Sequence, residues 1–201
     1  MADEPAYVRK LREYAKGDLD SSHLTAFEDE LFGASARATA ILYSTLVENA
    51  LVRLISKHMR IDLSSNDRRE LFQTFDRKIA LAYALKLIGP VSRADLDLVR
   101  FIRNQFAHSR RPLKFDIPEV ADVCAVLKFP DLPGARVPIG RLDRAPAIII
   151  AEEEAGSTAA FKALPKNRYV MACHNLAYRM IVLMDASPDT AATLFGEEPL
   201  P

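Results

Sequence analysis

The sequence predicts an all-α fold, a helical bundle of about five to seven helices. Three observations carry that expectation. Apolar side chains recur at three- and four-residue spacing through most of the chain. Stretches with this period are separated by Gly, Pro and Ser signals that stop one helix and start the next. No repeat with a period of about 20–50 residues is visible, so a helical solenoid is not indicated.

Taken in order, residues 5–16 carry Tyr7, Leu11 and Tyr14 at helical spacing, and Gly17 ends that stretch. Ser21 or Ser22 caps a second stretch with Leu24, Phe27, Leu31 and Phe32, closed by Gly33. A long helix is expected over residues 34–60. Its start is rich in small residues, and Leu42, Tyr43, Leu46, Val47, Leu51, Leu54 and Ile55 cover a wide face that should be largely buried. Residues 64–72 read as a polar connection with a short helix. Residues 75–88 are helical by pattern, with Phe75, Ile79, Ala82, Tyr83 and Leu87 on one side and Gly89-Pro90 as the stop. Ser92-Arg93-Ala94-Asp95 then reads as a capping box opening the next helix. Residues 118–127 are another candidate, with Val120, Val123, Cys124 and Leu127 inward. A last helix over 165–185 carries Tyr169, Ala172, Leu176, Met180 and Leu183 as its stripe. Between the last two the period fails. Pro130, Pro133, Gly134, Pro138, Gly140 and Pro146 interrupt it, and the aliphatic residues 147–150 fit either a short strand or a buried extended segment. The expected organisation is an N-terminal helical extension (1–20), a single all-α domain (21–186) with an irregular Pro-rich insertion (128–157), and a flexible tail (187–201).

Composition narrows the function. The chain has 201 residues, 49% of them hydrophobic, which is too apolar for a disordered chain. Lys+Arg and Asp+Glu both number 27, giving a formal charge of zero. A dedicated duplex-DNA binder normally carries a basic excess that displaces counterions, so specific duplex DNA is not the expected partner. Cys124 and Cys173 have no CxxC partners, and Cys173 and His174 are adjacent, hence about 100° apart on a helix. Neither a disulfide framework nor a metal site is expected, and no cofactor. There is no P-loop, GxSxG elbow or HExxH. The first residues lack an apolar signal-like core, and the longest aliphatic run, 147–151, is far short of the roughly 20 residues that span a bilayer. A cytoplasmic protein without a membrane partner is the expectation.

The strongest local signal is Arg103-Asn104-Gln105-Phe106-Ala107-His108, late in the helix that follows Gly89-Pro90. At about 100° per residue, Leu98, Val99, Phe101, Ile102 and Phe106 fall on one arc, read as inward. Arg100, Arg103, Asn104, Ala107 and His108 fall on the other, within about 140°. Small Ala107 leaves a notch among the polar residues that a second helix, or a twin of the same one, could approach. Between Asp97 and Asp116 stand Arg100, Arg103, Arg110, Arg111 and Lys114, and no acid. The helix dipole accounts for Arg110 and Arg111 but not for Arg103 or Asn104, further into the helix. A buried Arg103 needs an anionic partner, and Glu48, in the apolar middle of the long early helix, is the expected structural support.

The stretch Arg103-Asn104-x-x-x-His108 resembles the Arg-x4–6-His motif of HEPN domains, which are helical and often dimeric; many are metal-independent RNases with arginine and histidine from two subunits in one cleft. A longer stretch resembles the mannitol operon repressor (MltR) family. It comprises Phe27-Glu28, then Ser35-Ala36-Arg37-Ala38-Thr39-Ala40-Ile41-Leu42, Glu48, and Phe75. It continues with Lys78-Ile79-Ala80-Leu81-Ala82-Tyr83, Leu87-Ile88, Asp97-Leu98 and Arg100, and ends in residues 102–109. That resemblance spans roughly residues 25–185 and implies a helical regulator without a recognised DNA-binding motif, acting through a partner.

Three functions stand open on this reading. The first is an MltR-like regulatory or interaction protein with a HEPN-like polar site. The second is a metal-independent RNase. There, His108 serves as acid or base at the ribose 2′-hydroxyl, and Arg103 stabilises the phosphate in the transition state. Asn104 orients either, while Arg100, Arg110 and Arg111 hold the backbone. The third is a non-catalytic homodimer that keeps the motif as an interface. The partners expected across these readings are a second copy of the chain, another protein, or RNA.

Overall fold

The computed structural model describes residues 34–59, 70–132, 135 and 155–184. Within them the chain forms six α-helices and one short 3-10 turn, with no strand among the described residues. The all-α bundle expected from the sequence is what forms. The helices expected near residues 5–16 and 21–32, most of the 64–72 connection, the 147–150 run and the tail from 187 lie outside the described residues.

The first helix, α1 (Ala36–His58), begins where Ser35 accepts a hydrogen bond from the Ala38 N–H at 3.2 Å. That side-chain cap satisfies one of the four N–H groups a helix start leaves open. Its apolar face is wide. Ala40, Tyr43, Leu46, Val47, Ala50, Leu51, Leu54 and Ile55 are all buried. By length and composition α1 could also cross a membrane, and the same apolar residues are those on which the bundle core is built. It packs most extensively against α6 (Pro165–Leu183), then against α3 (Pro90–His108) and α2 (Phe75–Ala84). From α6, the expected stripe residues Tyr169, Ala172, Leu176 and Met180 enter the core. The Tyr169 hydroxyl donates to the Ala40 carbonyl at 2.8 Å, so its buried polar end is satisfied.

Two boundaries differ from the sequence reading. Helix α2 stops at Ala84, short of Gly89-Pro90, because Lys86 takes a left-handed backbone (φ 56°). The Leu87 N–H reaches back to Ala82 O, and the Lys86 N–H to Tyr83 O, both at 2.9 Å. This pair of bonds is the Schellman arrangement usually built on glycine. Gly89-Pro90 then works as a start: Gly89 is the N-cap of α3 and Pro90 occupies its first turn, where a missing N–H costs nothing. The expected capping box at residues 92–95 is therefore inside the helix, with Ser92 and Asp95 both fully buried.

Asp95 has a different task. Its carboxylate accepts the Lys128 N–H at 2.9 and 3.0 Å and the Phe129 N–H at 2.8 Å. These are the open N–H groups at the start of the 3-10 turn Phe129–Asp131, which follows α4 (Pro118–Ala125). Arg168 of α6 serves the other side of the same corner. Its Nε donates to Cys124 O at 3.1 Å and its Nη2 to Leu127 O at 2.6 Å, capping the end of α4. It also forms an ion pair with Asp131, which Lys162 of α5 (Ala155–Ala163) joins at 2.7 Å. The Arg168 guanidinium, with Lys162, holds the Asp131 carboxyl below its ordinary value. Phe129 and Pro130 are buried, so the Pro-rich stretch expected as an irregular insertion is anchored at its start. Its far end is helical, because α5 begins at Ala155.

Burial pushes the Asp95 carboxyl above the ordinary carboxylate value of 3.8, against the lowering effect of the Phe129 and Lys128 N–H groups. The folded state therefore holds the Asp95 proton more tightly than the unfolded chain does. This contribution favours folding at low pH and is lost as pH rises from 3.8 through the raised value. Two consequences are expected in urea unfolding. Asp95→Ala, which leaves the buried Phe129 N–H and the part-buried Lys128 N–H without their acceptor, should lower stability by about 2–4 kcal/mol. The advantage of wild type over Asp95→Asn should narrow as pH rises through that window; an advantage that widens would contradict the assignment.

Candidate functional site

The inner face of α3 is set by Ser92, Asp95, Leu96, Val99, Ile102 and Phe106, all buried. Phe106 stacks on Phe115 at a ring distance of 4.8 Å, and Phe115 on Tyr169 at 5.3 Å, locking the last turns of α3 to α6. That fixes what the other face presents. Arg103, Asn104 and Ala107 are half-buried, and His108 is exposed at the helix end. Phe101, expected inward, is 48% exposed instead. The buried residues centre about 155° around the helix from Phe101, so the apolar arc is narrower than composition suggested. Leu98, read on the same inward arc, is half-buried against the core.

Within the motif, Arg103 Nη1 donates to Asn104 Oδ1 at 3.0 Å. Neighbours one residue apart do not normally face each other on a helix, so this bond turns the guanidinium towards the Asn104 side. No hydrogen bond joins Asn104 to His108 among the described residues, although they are one turn apart. His108 is left open to solvent beside the Arg103–Asn104 pair.

Glu48 does not serve Arg103. It forms an ion pair with Lys78 of α2, the two side chains being 20% and 12% exposed. The reason is geometric: α2 lies against α1 and supplies an amine at that level, while Arg103 is only half-buried and has a partner in Asn104. Arg100, one turn before Arg103 and Asn104 on the same face, makes its ion pair towards the helix start. It pairs with Asp97 at 3.7 Å, and its charge also contributes, after the Thr74 side chain and the local backbone, to lowering the Asp76 carboxyl on α2. Its buried Nε has no hydrogen-bond partner among the described residues.

Beyond His108 the chain turns at Ser109. Its hydroxyl donates to Arg111 O at 2.8 Å and accepts the Arg111 N–H at 3.1 Å, a tight local turn that leaves Arg110 and Arg111 exposed. The Ser109 carbonyl accepts Arg37 Nη2 from the first turn of α1 at 3.0 Å. Lys166, in the first turn of α6, donates to Ala34 O at 3.4 Å. One end of the bundle thus gathers Arg37, His108, Arg110, Arg111 and Lys166 from three segments. Residues 34–40, 103–115 and 165–168 contain no Asp or Glu, and the one described carboxylate paired with them is Asp131, on Arg168. Arg103, Asn104, His108, Arg110 and Arg111 are neighbours in the chain and so are visible in the sequence. Arg37 and Lys166 are not, because their only signal is the packing of α1 and α6 against α3.

Such an arrangement can hold a phosphate-bearing ligand by charge and by N–H donors, with an imidazole at hand to move a proton. Among the described residues no group of three His, Cys, Asp or Glu side chains converges as a metal site. Comparison with family models, curated proteins and solved structures gives no match for this chain.

The ion-pair assignment is open to a double-mutant cycle. Glu48→Ala with Lys78→Ala should show a stability coupling of about 1 kcal/mol or more, whereas Glu48→Ala with Arg103→Ala should be additive within about 0.5 kcal/mol. The reverse pattern would return Glu48 to Arg103.

Proposed function

We propose that this protein is a helical regulatory or interaction protein that acts by holding single-stranded RNA at the basic end of its bundle. The observation that carries the reading is the convergence of Arg37, Arg103, His108, Arg110, Arg111 and Lys166 around the end of α3, with no carboxylate in the three segments that supply them. On a chain of zero formal charge, that local excess favours a ligand of opposite sign. Phosphate contacts supply affinity and make it salt-dependent. Asn104 and Gln105 add amide groups able to meet base edges, and the 2′-hydroxyl offers a further donor and acceptor beside His108. Duplex DNA fits less well, because α3 is fixed in the core along its length and no separate helix among the described residues stands free for the major groove. The MltR-like role fits as regulation through an RNA or protein partner in the cytoplasm, and the HEPN-like motif as a site shared between two copies.

A second reading, cleavage of that RNA, is favoured by one specific observation: His108 is exposed and one turn from the Arg103–Asn104 pair. His108 takes the proton of a 2′-hydroxyl, whose oxygen attacks the adjacent phosphorus. The 5′-oxygen leaves with a proton from water or from the second copy's imidazole, giving a cyclic phosphate and a free 5′-hydroxyl. Arg103 balances the extra charge on phosphorus in between.

Titration of a labelled single-stranded RNA tests the binding reading. Affinity should fall steeply between about 50 and 200 mM salt, and Arg110→Ala with Arg111→Ala should flatten the log–log slope by roughly one to two. No binding at the lower salt would overturn it. Incubation of mixed RNA with EDTA present separates the second reading: fragments lost in His108→Ala and Arg103→Ala support cleavage, and intact RNA with wild type leaves a binding protein only.

A further inference from the structure

The outward line of α3 contains one residue whose exposure the bundle does not explain. Of the large hydrophobic side chains exposed among the described residues, Leu85, Phe101, Val126 and Leu164, only Phe101 is aromatic. Every other described phenylalanine or tyrosine ring is buried or half-buried. Leu85, Val126 and Leu164 sit at or just beyond the ends of α2, α4 and α5, where helix termini meet solvent. Phe101 is instead in the middle of a 19-residue helix.

Its neighbours give the exposure a direction. Phe101 and His108 lie within about 20° of the same line along α3, with a rise of about 10.5 Å between them. Asn104 lies to one side of that line and Gln105 to the other, one turn from Phe101. The carboxylate on this face, Asp97, is paired with Arg100. The aromatic ring is therefore an island set among two amides and an imidazole, beside a concentration of cations. A second helix packing here would need a continuous apolar strip, which the face does not offer. A flat heterocycle with hydrogen-bonding edges, joined to a phosphate chain, matches each part.

We propose that Phe101 is a stacking platform for a nucleobase of single-stranded RNA, with Asn104 and Gln105 facing the base edge. This rests on the RNA-binding reading above. Stacking on an aromatic ring is tolerant of base identity, so the platform adds affinity for any strand, and the amides bias which base is preferred. The phosphate that follows the stacked base lies towards His108 and the Arg110–Arg111 turn.

The chain contains no tryptophan, so Phe101→Trp introduces a single emitter at the platform. With labelled uridine and adenosine 12-mers, RNA should quench the Phe101→Trp emission and leave affinity near wild type. Phe101→Ala should weaken binding by roughly ten- to a hundredfold while keeping the salt slope, because the phosphate contacts remain. Phe101→Leu, which keeps bulk without a ring, should resemble Phe101→Ala. If wild type binds RNA and Phe101→Ala binds equally well with unquenched Phe101→Trp emission, the platform is wrong and the RNA-binding reading stands. If Phe101→Ala instead turns a dimer into a monomer in sedimentation, with RNA affinity unchanged, the ring belongs to a second copy of the chain. If wild type binds neither oligonucleotide, both fail.

Discussion

The buried carboxylate of Asp95 is the constraint on which the arrangement of this molecule depends. A charged group without solvent is expensive unless it is fully hydrogen-bonded. Here the compensation comes from the backbone N–H groups of Lys128 and Phe129, with the Arg168 and Lys128 charges acting from further away. That requirement ties the middle of α3 to the corner after α4, while Arg168 ties the same corner to α6. Three elements distant in sequence are thereby held at one rotational setting. With Asp95 pointing inward, α3 has no freedom to roll, and its outward line follows: Phe101, Asn104, Gln105 and His108 face away from the core.

This coupling links fold to site more directly than the motif does. Arg103 and His108 are separated by little chain, but the cations that accompany them come from the starts of α1 and α6. The carbonyl at the end of α3 draws Arg37 across. A local sequence pattern marks the place, and tertiary packing supplies the charge density. Among the described residues Glu48 is held by Lys78, and Asp131 pairs with Arg168, one turn or less from Lys166.

The long stripes of α1, α3 and α6 were legible in the sequence because each buries a face wide enough to leave a regular period. The motif face of α3 was legible for the same reason, as was the gathering of Arg103, Asn104 and His108 on it. The misreadings have physical causes. Ser92 to Asp95 has the spacing of a capping box, yet Pro90 starts the helix earlier and turns those side chains into the core. The end of α2 was hidden because a lysine, not a glycine, takes the left-handed position. Phe101 reads as inward on hydrophobicity, although the core needs only the arc held by Asp95, Val99, Ile102 and Phe106. Glu48 has a nonlocal partner, and nothing in the order of residues distinguishes Lys78 from Arg103 as the cation that meets it.

Cys124 and Cys173 are fully buried, and burial pushes the Cys124 thiol up to about 12 and the Cys173 thiol higher still. Buried and held in the thiol form at neutral pH, neither native cysteine is expected to compete with an exposed one for maleimides or iodoacetamides. A cysteine introduced on the outward face of α3 can then carry a fluorophore, spin label or crosslinker alone, with the native thiols left in place. The core that positions the site thus also leaves its surface free for selective labelling.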